Sequence, residues 1–129
     1  MKTLEVIQHT SADYLGLMED HLEGRRIRFN YIRPFTEKGR IPSLSECGDG
    51  LVLLGGGPWG TAGERDLPSL AEEIELTRQF LALDRPVLGF ELGAQILALA
   101  AGGGSEPAPL SFRVGDARRC KEDALNGFL

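Results

Sequence analysis

Pro86-Val87-Leu88-Gly89-Phe90-Glu91-Leu92-Gly93-Ala94-Gln95 is the stretch of this 129-residue chain whose reading decides the fold. An apolar run with strand character passes through Gly-x-x-x-Gly straight into a small-residue, apolar segment, Gly93 to Ala101, which reads as a helix ended by Gly102-Gly103-Gly104. A buried strand turning into a helix, with glycines two before and two after a central residue, is the pattern of a nucleophile elbow. The glycines let strand and helix approach closely, and the central side chain, here Glu91, is held in a strained turn above the sheet. The helix N-terminus beneath it supplies backbone N–H groups and a positive dipole end, suited to an oxyanion.

Upstream, Leu51-Val52-Leu53-Leu54 is a second buried strand, and it runs into Gly55-Gly56-Gly57-Pro58. Gly56 and Gly57 are therefore candidates for further oxyanion donors. Between the two strands, Pro68 marks a helix start, and Leu70, Ile74, Thr77, Phe80 and Leu81 form the apolar stripe of a crossover helix. Nearer the N-terminus, Leu4 to Gln8 reads as the first strand and Ser11 as the cap of a helix with Tyr14, Leu15, Met18 and Leu22 on one face and Gly24 as its stop. Ile27, Phe29 and Tyr31 alternate with Arg26, Arg28 and Asn30, the period of a strand with one wet face near the sheet edge. Residues 33–50 carry no period. Past Gly104 the chain predicts one weak strand, Phe112 to Val114, and a turn near Asn126. Alternation of strands and helices implies a three-layer α/β domain of flavodoxin-like type on a parallel sheet.

The composition fits one soluble globular domain: 42% hydrophobic and 26% charged residues, with a net charge of -5. An acidic chain without a Lys/Arg block offers little to phosphate backbones, so nucleic acid is not expected as a partner. No apolar run reaches membrane-spanning length and Glu5 interrupts the start, so neither a membrane nor a signal peptide is implied and the expected location is cytoplasmic. Cys47 and Cys120 show no CxxC spacing and no adjacent His pair; they are expected to be reduced thiols, with no metal and no cofactor implied.

With these segments in order, the sequence resembles the class I glutamine amidotransferases, and in particular the stand-alone relatives of the GMP synthase amidotransferase domain. The resemblance rests on the opening strand ending in Gln8-His9, on Asp49 to Pro58, and on Pro86 to Gln95 followed by Ile96-Leu97-Ala98. It covers the N-terminal half of such a domain, so residues 1–129 are expected to form a single domain incomplete at the C-terminus. In that family the elbow residue is a cysteine that attacks the glutamine amide, activated by a His-x-Glu pair from the second half. Here the position is Glu91, and no such pair follows it. His21-Leu22-Glu23 has the right spelling, but residues two apart on a helix face different ways, and the triplet precedes the elbow.

A carboxylate attacking an amide would form a mixed anhydride with a poor leaving group to expel, so glutaminase chemistry is expected to be lost. The resemblance then implies a non-catalytic ligand-binding or regulatory subunit, with glutamine or a carboxylate as ligand and a synthase partner or a homodimer as assembly. It assigns ligand contacts to Gly56, Gly57, Leu92 and Gln95. The alternatives are a hydrolase or transferase using Glu91 as its nucleophile, and an amidotransferase completed by a missing C-terminal half. For Glu91 itself three roles stay open: a decayed position, a retained binding group resting on the helix N-terminus and the Gly56-Gly57 amides, or different chemistry. Gln95 equally suits a backbone cap, His9 a structural hydrogen bond at the sheet's carboxyl edge, His21 a solvent-facing position, and Trp59 either a lid or loop filling.

Overall fold

The computed structural model describes residues 1–120. It comprises β1 (Thr3–Ile7), α1 (Met18–Gly24), β2 (Arg28–Ile32), one 3-10 turn at Leu44–Glu46, β3 (Gly50–Leu53), α2 (Leu70–Ala82), β4 (Val87–Gly89) and α3 (Leu92–Ala100). All strand pairs are parallel and the order is β2-β1-β3-β4, the order of the first four strands of a flavodoxin-like sheet. The chain changes direction across the sheet between β1 and β3. Their carboxyl ends therefore open into the crevice where such folds place ligands.

Alternation along the strands makes two apolar faces. Ile7, Leu51 and Leu53 point to one side, where Leu76 and Phe80 of α2 and Leu92 and Ile96 of α3 close over them. Val6, Val52 and Leu54 point to the other, where Leu15, Phe29 and Tyr31 pack. Helices on both faces of one sheet make this a three-layer α/β fold, the class expected from the sequence. The second face is covered thinly, because α1 has seven residues and none of them is buried.

Several local expectations need correcting. No helix starts at Ser11: α1 begins at Met18 behind Leu17, which makes no side-chain cap, because Gly16 turns the backbone to φ +61° between Tyr14 and Met18. The helix does end at Gly24, as expected, but the left-handed residue that closes it is not the glycine. Arg26 takes the left-handed conformation (φ 58°) while its N–H bonds the Glu23 carbonyl and that of Ile27 bonds the Leu22 carbonyl, a Schellman turn. The α2 stripe is wider than the sequence reading: Glu73, Leu76, Thr77 and Phe80 are buried, Leu70 and Ile74 pack partly buried against the same core, and Glu73 and Leu76 join the inner face while Leu81 lies outside the core cluster. Helix α3 buries only Leu92, Gly93 and Ile96, one face rather than several. Phe112 to Val114 forms no strand and lies fully exposed. The turn expected near Asn126 falls outside the described residues. Within 33–50, the 3-10 turn carries a capping box from Ser43 to Glu46, a Ser-x-x-Glu signal present in the sequence.

Glycine at 93 is dictated by packing: a Cβ there would overlap the Leu53 carbonyl. Gly93→Ala is therefore expected to lower the urea-unfolding free energy by about 1–3 kcal/mol, the usual cost of overpacking. Gly24→Ala, where a Cβ meets nothing within 4 Å, is the control. It should raise stability by about 0.5–1 kcal/mol through helix propensity.

Candidate functional site

At the carboxyl end of β4 the chain reverses into α3 through Glu91, whose φ of 50° and ψ of -112° lie in a region that side-chain-bearing residues rarely occupy. The conformation follows from its neighbours. A Cβ on Gly89 would stand 2.6 Å from the Gly93 carbonyl oxygen, so strand and helix touch backbone to backbone. Phe90 N–H donates to the Leu53 carbonyl at 2.9 Å and Gly93 N–H to the Leu54 carbonyl at 3.2 Å, tying both sides of the turn to β3. Residue 91 is the link left to close the gap, and it does so at positive φ.

The Glu91 carboxylate makes no cap to the α3 N-terminus, although the sequence offered that as its binding role. It turns instead toward the carboxyl end of β3. Its Oε2 comes within 2.5 Å of the point where a Cβ on Gly55 would lie, and Oδ2 of Asp13 comes within 3.1 Å of the same point. Both carboxylates line a cavity of about 330 Å³ whose other walls include Tyr14, Met18, Leu54 and Phe90 and which contains no Lys, Arg or His. Asp13 escaped sequence reading because it fell inside a segment read as a helix turn. It is placed by buried Gln8, whose Nε2 donates to the Asp13 carbonyl at 2.8 Å while Arg33 Nε donates to Gln8 Oε1 at 2.6 Å.

The glycine turn lies beside this cavity. Gly57 has φ 55°, and a Cβ on Gly56 would overlap the Leu92 side chain, so the bare glycine backbone is required for the turn to pass over α3. The N–H groups of Gly56 and Gly57 donate to no backbone carbonyl among the described residues, which leaves them available as donors. Leu92 is a core side chain, so only its backbone can face a ligand. Gln95 caps no backbone group; it accepts a 2.8 Å hydrogen bond from Thr61 Oγ1, joining α3 to the loop after the glycine turn, and Thr61 also bonds Ser105 at 2.7 Å. Trp59 packs against the core cluster and lines a small cavity with His9, Pro34 and Phe35, so it fills the loop.

His9 is fully buried and structural. Its Nδ1 stands 2.9 Å from the Leu54 carbonyl and 3.3 Å from that of Gly55; since carbonyls only accept, Nδ1 carries a proton. Nε2 meets Glu73 Oε1 at 2.6 Å, and Glu73 Oε2 accepts from Ser69 at 2.6 Å. Burial works to lower the His9 pKa, but the Glu73 carboxylate and the two carbonyls outweigh it and hold the imidazole above its ordinary value of 6.5. His21 is exposed on α1. Cys47 is bonded to the Ser43 carbonyl, and burial, helped by the Glu5 and Glu46 charges, pushes its thiol up to about 11. It is not a thiolate at neutral pH. Among the described residues no group of three or more His, Cys, Asp and Glu side chains is placed to hold a metal, and no helix is long and apolar enough to cross a membrane.

Two outcomes follow. Glu91→Gly removes a side chain held at positive φ, puts there a residue that adopts the turn freely, and takes away one of two neighbouring carboxylates. The variant should unfold at an equal or higher urea concentration, the strain at such positions being about 1–3 kcal/mol. Because the His9 pKa is raised on folding, the stability its charge contributes is complete below the ordinary value of 6.5 and is lost as pH rises through the elevated native value. Glu73→Gln should cost about 3–5 kcal/mol at acidic to neutral pH, as breaking a buried pair does, and flatten the fall in stability above neutrality when urea titrations are repeated across pH.

No protein-family model matches this chain, and neither does any curated protein. Among solved structures, a glutamine amidotransferase from Methylobacillus flagellatus superposes with a TM-score of 0.66 at 31% identity, over 79% of this chain and 39% of its own. A glutamine amidotransferase from Thermotoga maritima does so with a TM-score of 0.64, also at 31% identity, over 78% of this chain and 43% of its own. The chain thus spans about two fifths of the length of the amidotransferases that it resembles, and over that span it shares their fold and nearly a third of the aligned residues.

Proposed function

We propose that this chain is a class I glutamine amidotransferase-like protein without glutaminase chemistry, acting as a non-catalytic ligand-binding or regulatory subunit. The observation that carries the reading is Glu91 at the elbow, in the strained backbone turn that presents a nucleophile, with a carboxylate where a thiol would be needed. The surroundings support it. Both ring nitrogens of His9 are committed to β3 and Glu73, and His21 lies on exposed α1, so among the described residues no imidazole stands ready to act as base at the elbow.

What remains is a crevice of mixed character. The free N–H groups of Gly56 and Gly57 suit a carbonyl or anionic oxygen, while Asp13 and Glu91 favour an ammonium group and repel a carboxylate. A glutamine molecule would fit that division only with its amino group toward Asp13 and Glu91 and its oxygens toward the glycine turn.

The purified chain is expected to release no ammonia from glutamine, and Glu91→Cys is expected to leave that result unchanged. A thiol without a general base forgoes a contribution of about 10²–10⁴-fold in rate. A coupled ammonia assay showing sustained glutaminase turnover by Glu91→Cys would place a base that this reading omits and overturn it.

A further inference from the structure

The imidazole of His9 has zero exposure, and each group it meets is an acceptor: at Nδ1 the Leu54 carbonyl at 2.9 Å and the Gly55 carbonyl at 3.3 Å, and at Nε2 the Glu73 Oε1 at 2.6 Å. The Leu54 carbonyl also accepts from Gly93 N–H at 3.2 Å, so the ring holds the glycine turn where it meets the elbow. A trans peptide sets its N–H opposite its C=O. With the Gly55 carbonyl drawn to Nδ1, the Gly56 N–H of the same peptide points away from the buried imidazole. The next peptide is fixed by other means, since the Gly56 carbonyl accepts from Trp59 N–H at 3.1 Å.

We infer that His9 is a positioning residue whose Nδ1–H aims the Gly56 donor at its ligand, and that its pairing with Glu73 makes this aim depend on pH. The inference takes its ligand from the reading above, an oxygen received by the glycine turn. Loss of one proton from the His9–Glu73 pair leaves the ring with a single N–H and acceptors on both sides. A hydrogen bond to a carboxylate is about twice as strong as one to a neutral carbonyl, so the remaining proton stays at Nε2 and the Nδ1 proton leaves. The bare Nδ1 then faces two carbonyl oxygens, lone pair against lone pair, and the Gly55–Gly56 peptide turns from it. Glu73 is the charged group that meets the ring; Pro34, Phe35, Trp59, Leu67, Pro68 and Ser69, which line the small cavity beside it, carry no charge. Because the carboxylate and the carbonyls hold the imidazole above 6.5, the aim is complete below that value and is lost as pH rises through the elevated native one. In Glu73→Gln the amide can donate to a bare Nε2, which places the single proton of a neutral ring at Nδ1. That variant keeps the aim and loses its pH dependence.

Carbon-detected NMR of the isotopically labelled chain between about pH 5 and 9 reads the aim without any ligand. The Gly55 carbonyl carbon should shift with the same midpoint as the carbon-bound ring protons of His9, while the Gly56 carbonyl carbon, held by Trp59, should not. With L-glutamine as the probe, the wild-type Kd should rise about five- to tenfold across that transition, the worth of one hydrogen bond. Glu73→Gln should show no such rise, and it controls for titration of the probe's own amine. A Gly55 carbon indifferent to His9, or the same pH dependence of glutamine affinity in Glu73→Gln, would overturn the inference. Should the variant fail to fold, the wild-type carbon titration decides alone. A Gly55 carbon that follows His9 in a chain that binds no glutamine at any pH would uphold the aim and overturn the proposed ligand.

Discussion

The contact between Gly93 and the Leu53 carbonyl is the constraint on which the remainder of this structure depends. No residue larger than glycine fits there, and a Cβ on Gly89 would press on the Gly93 carbonyl in the same way. These two contacts bring α3 down onto the sheet, bury Leu92 and Ile96 beside Leu76 and Phe80, and leave residue 91 to close a turn shorter than a relaxed backbone permits. The strained elbow is thus a product of packing. It persists with a carboxylate at its tip, because nothing that enforces it involves the side chain of residue 91.

The charges around the elbow sort into one satisfied pair and one uncompensated pair. His9 and Glu73 are both buried at zero exposure, and every polar atom of that pair has a partner: two carbonyls of β3 and its turn, and Ser69 at the start of α2. This pair fastens the glycine turn to α2. On the other side of the same turn, Asp13 and Glu91 share a cavity without a cation in its walls. Two resident carboxylates without a cation favour a positively charged group in that cavity over a negatively charged one.

The fold was legible because its signals are local and redundant. Apolar runs of four or five residues, the glycine turn and the Gly-x-x-x-Gly elbow each limit the backbone by sterics alone, and together they leave a parallel α/β sheet as the consistent arrangement. Helix ends were less legible, since Arg26 and Asp84 adopt left-handed conformations that sequence reading assigns to glycine. The site was legible at Glu91 and only partly elsewhere. Asp13 reaches the cavity through a loop whose course depends on Gly16 and on the Gln8 hydrogen bond, and Glu73 is buried by a partner 64 residues away in sequence; neither relation leaves a periodic trace. Attraction to a helix N-terminus argues for a cap at Glu91, but its carboxylate makes none and lies beside Gly55 at the end of β3, a placement that no local sequence signal announces.

The central claim is that glycine packing, and not the chemistry of residue 91, sets the elbow. A crystal structure of Glu91→Ala tests this most directly, since alanine can form neither a cap nor a charge contact and gains nothing from positive φ. The account predicts that residue 91 keeps φ near 50° with Gly93 still against the Leu53 carbonyl. Relaxation of residue 91 to negative φ, with α3 displaced from β3, would contradict it.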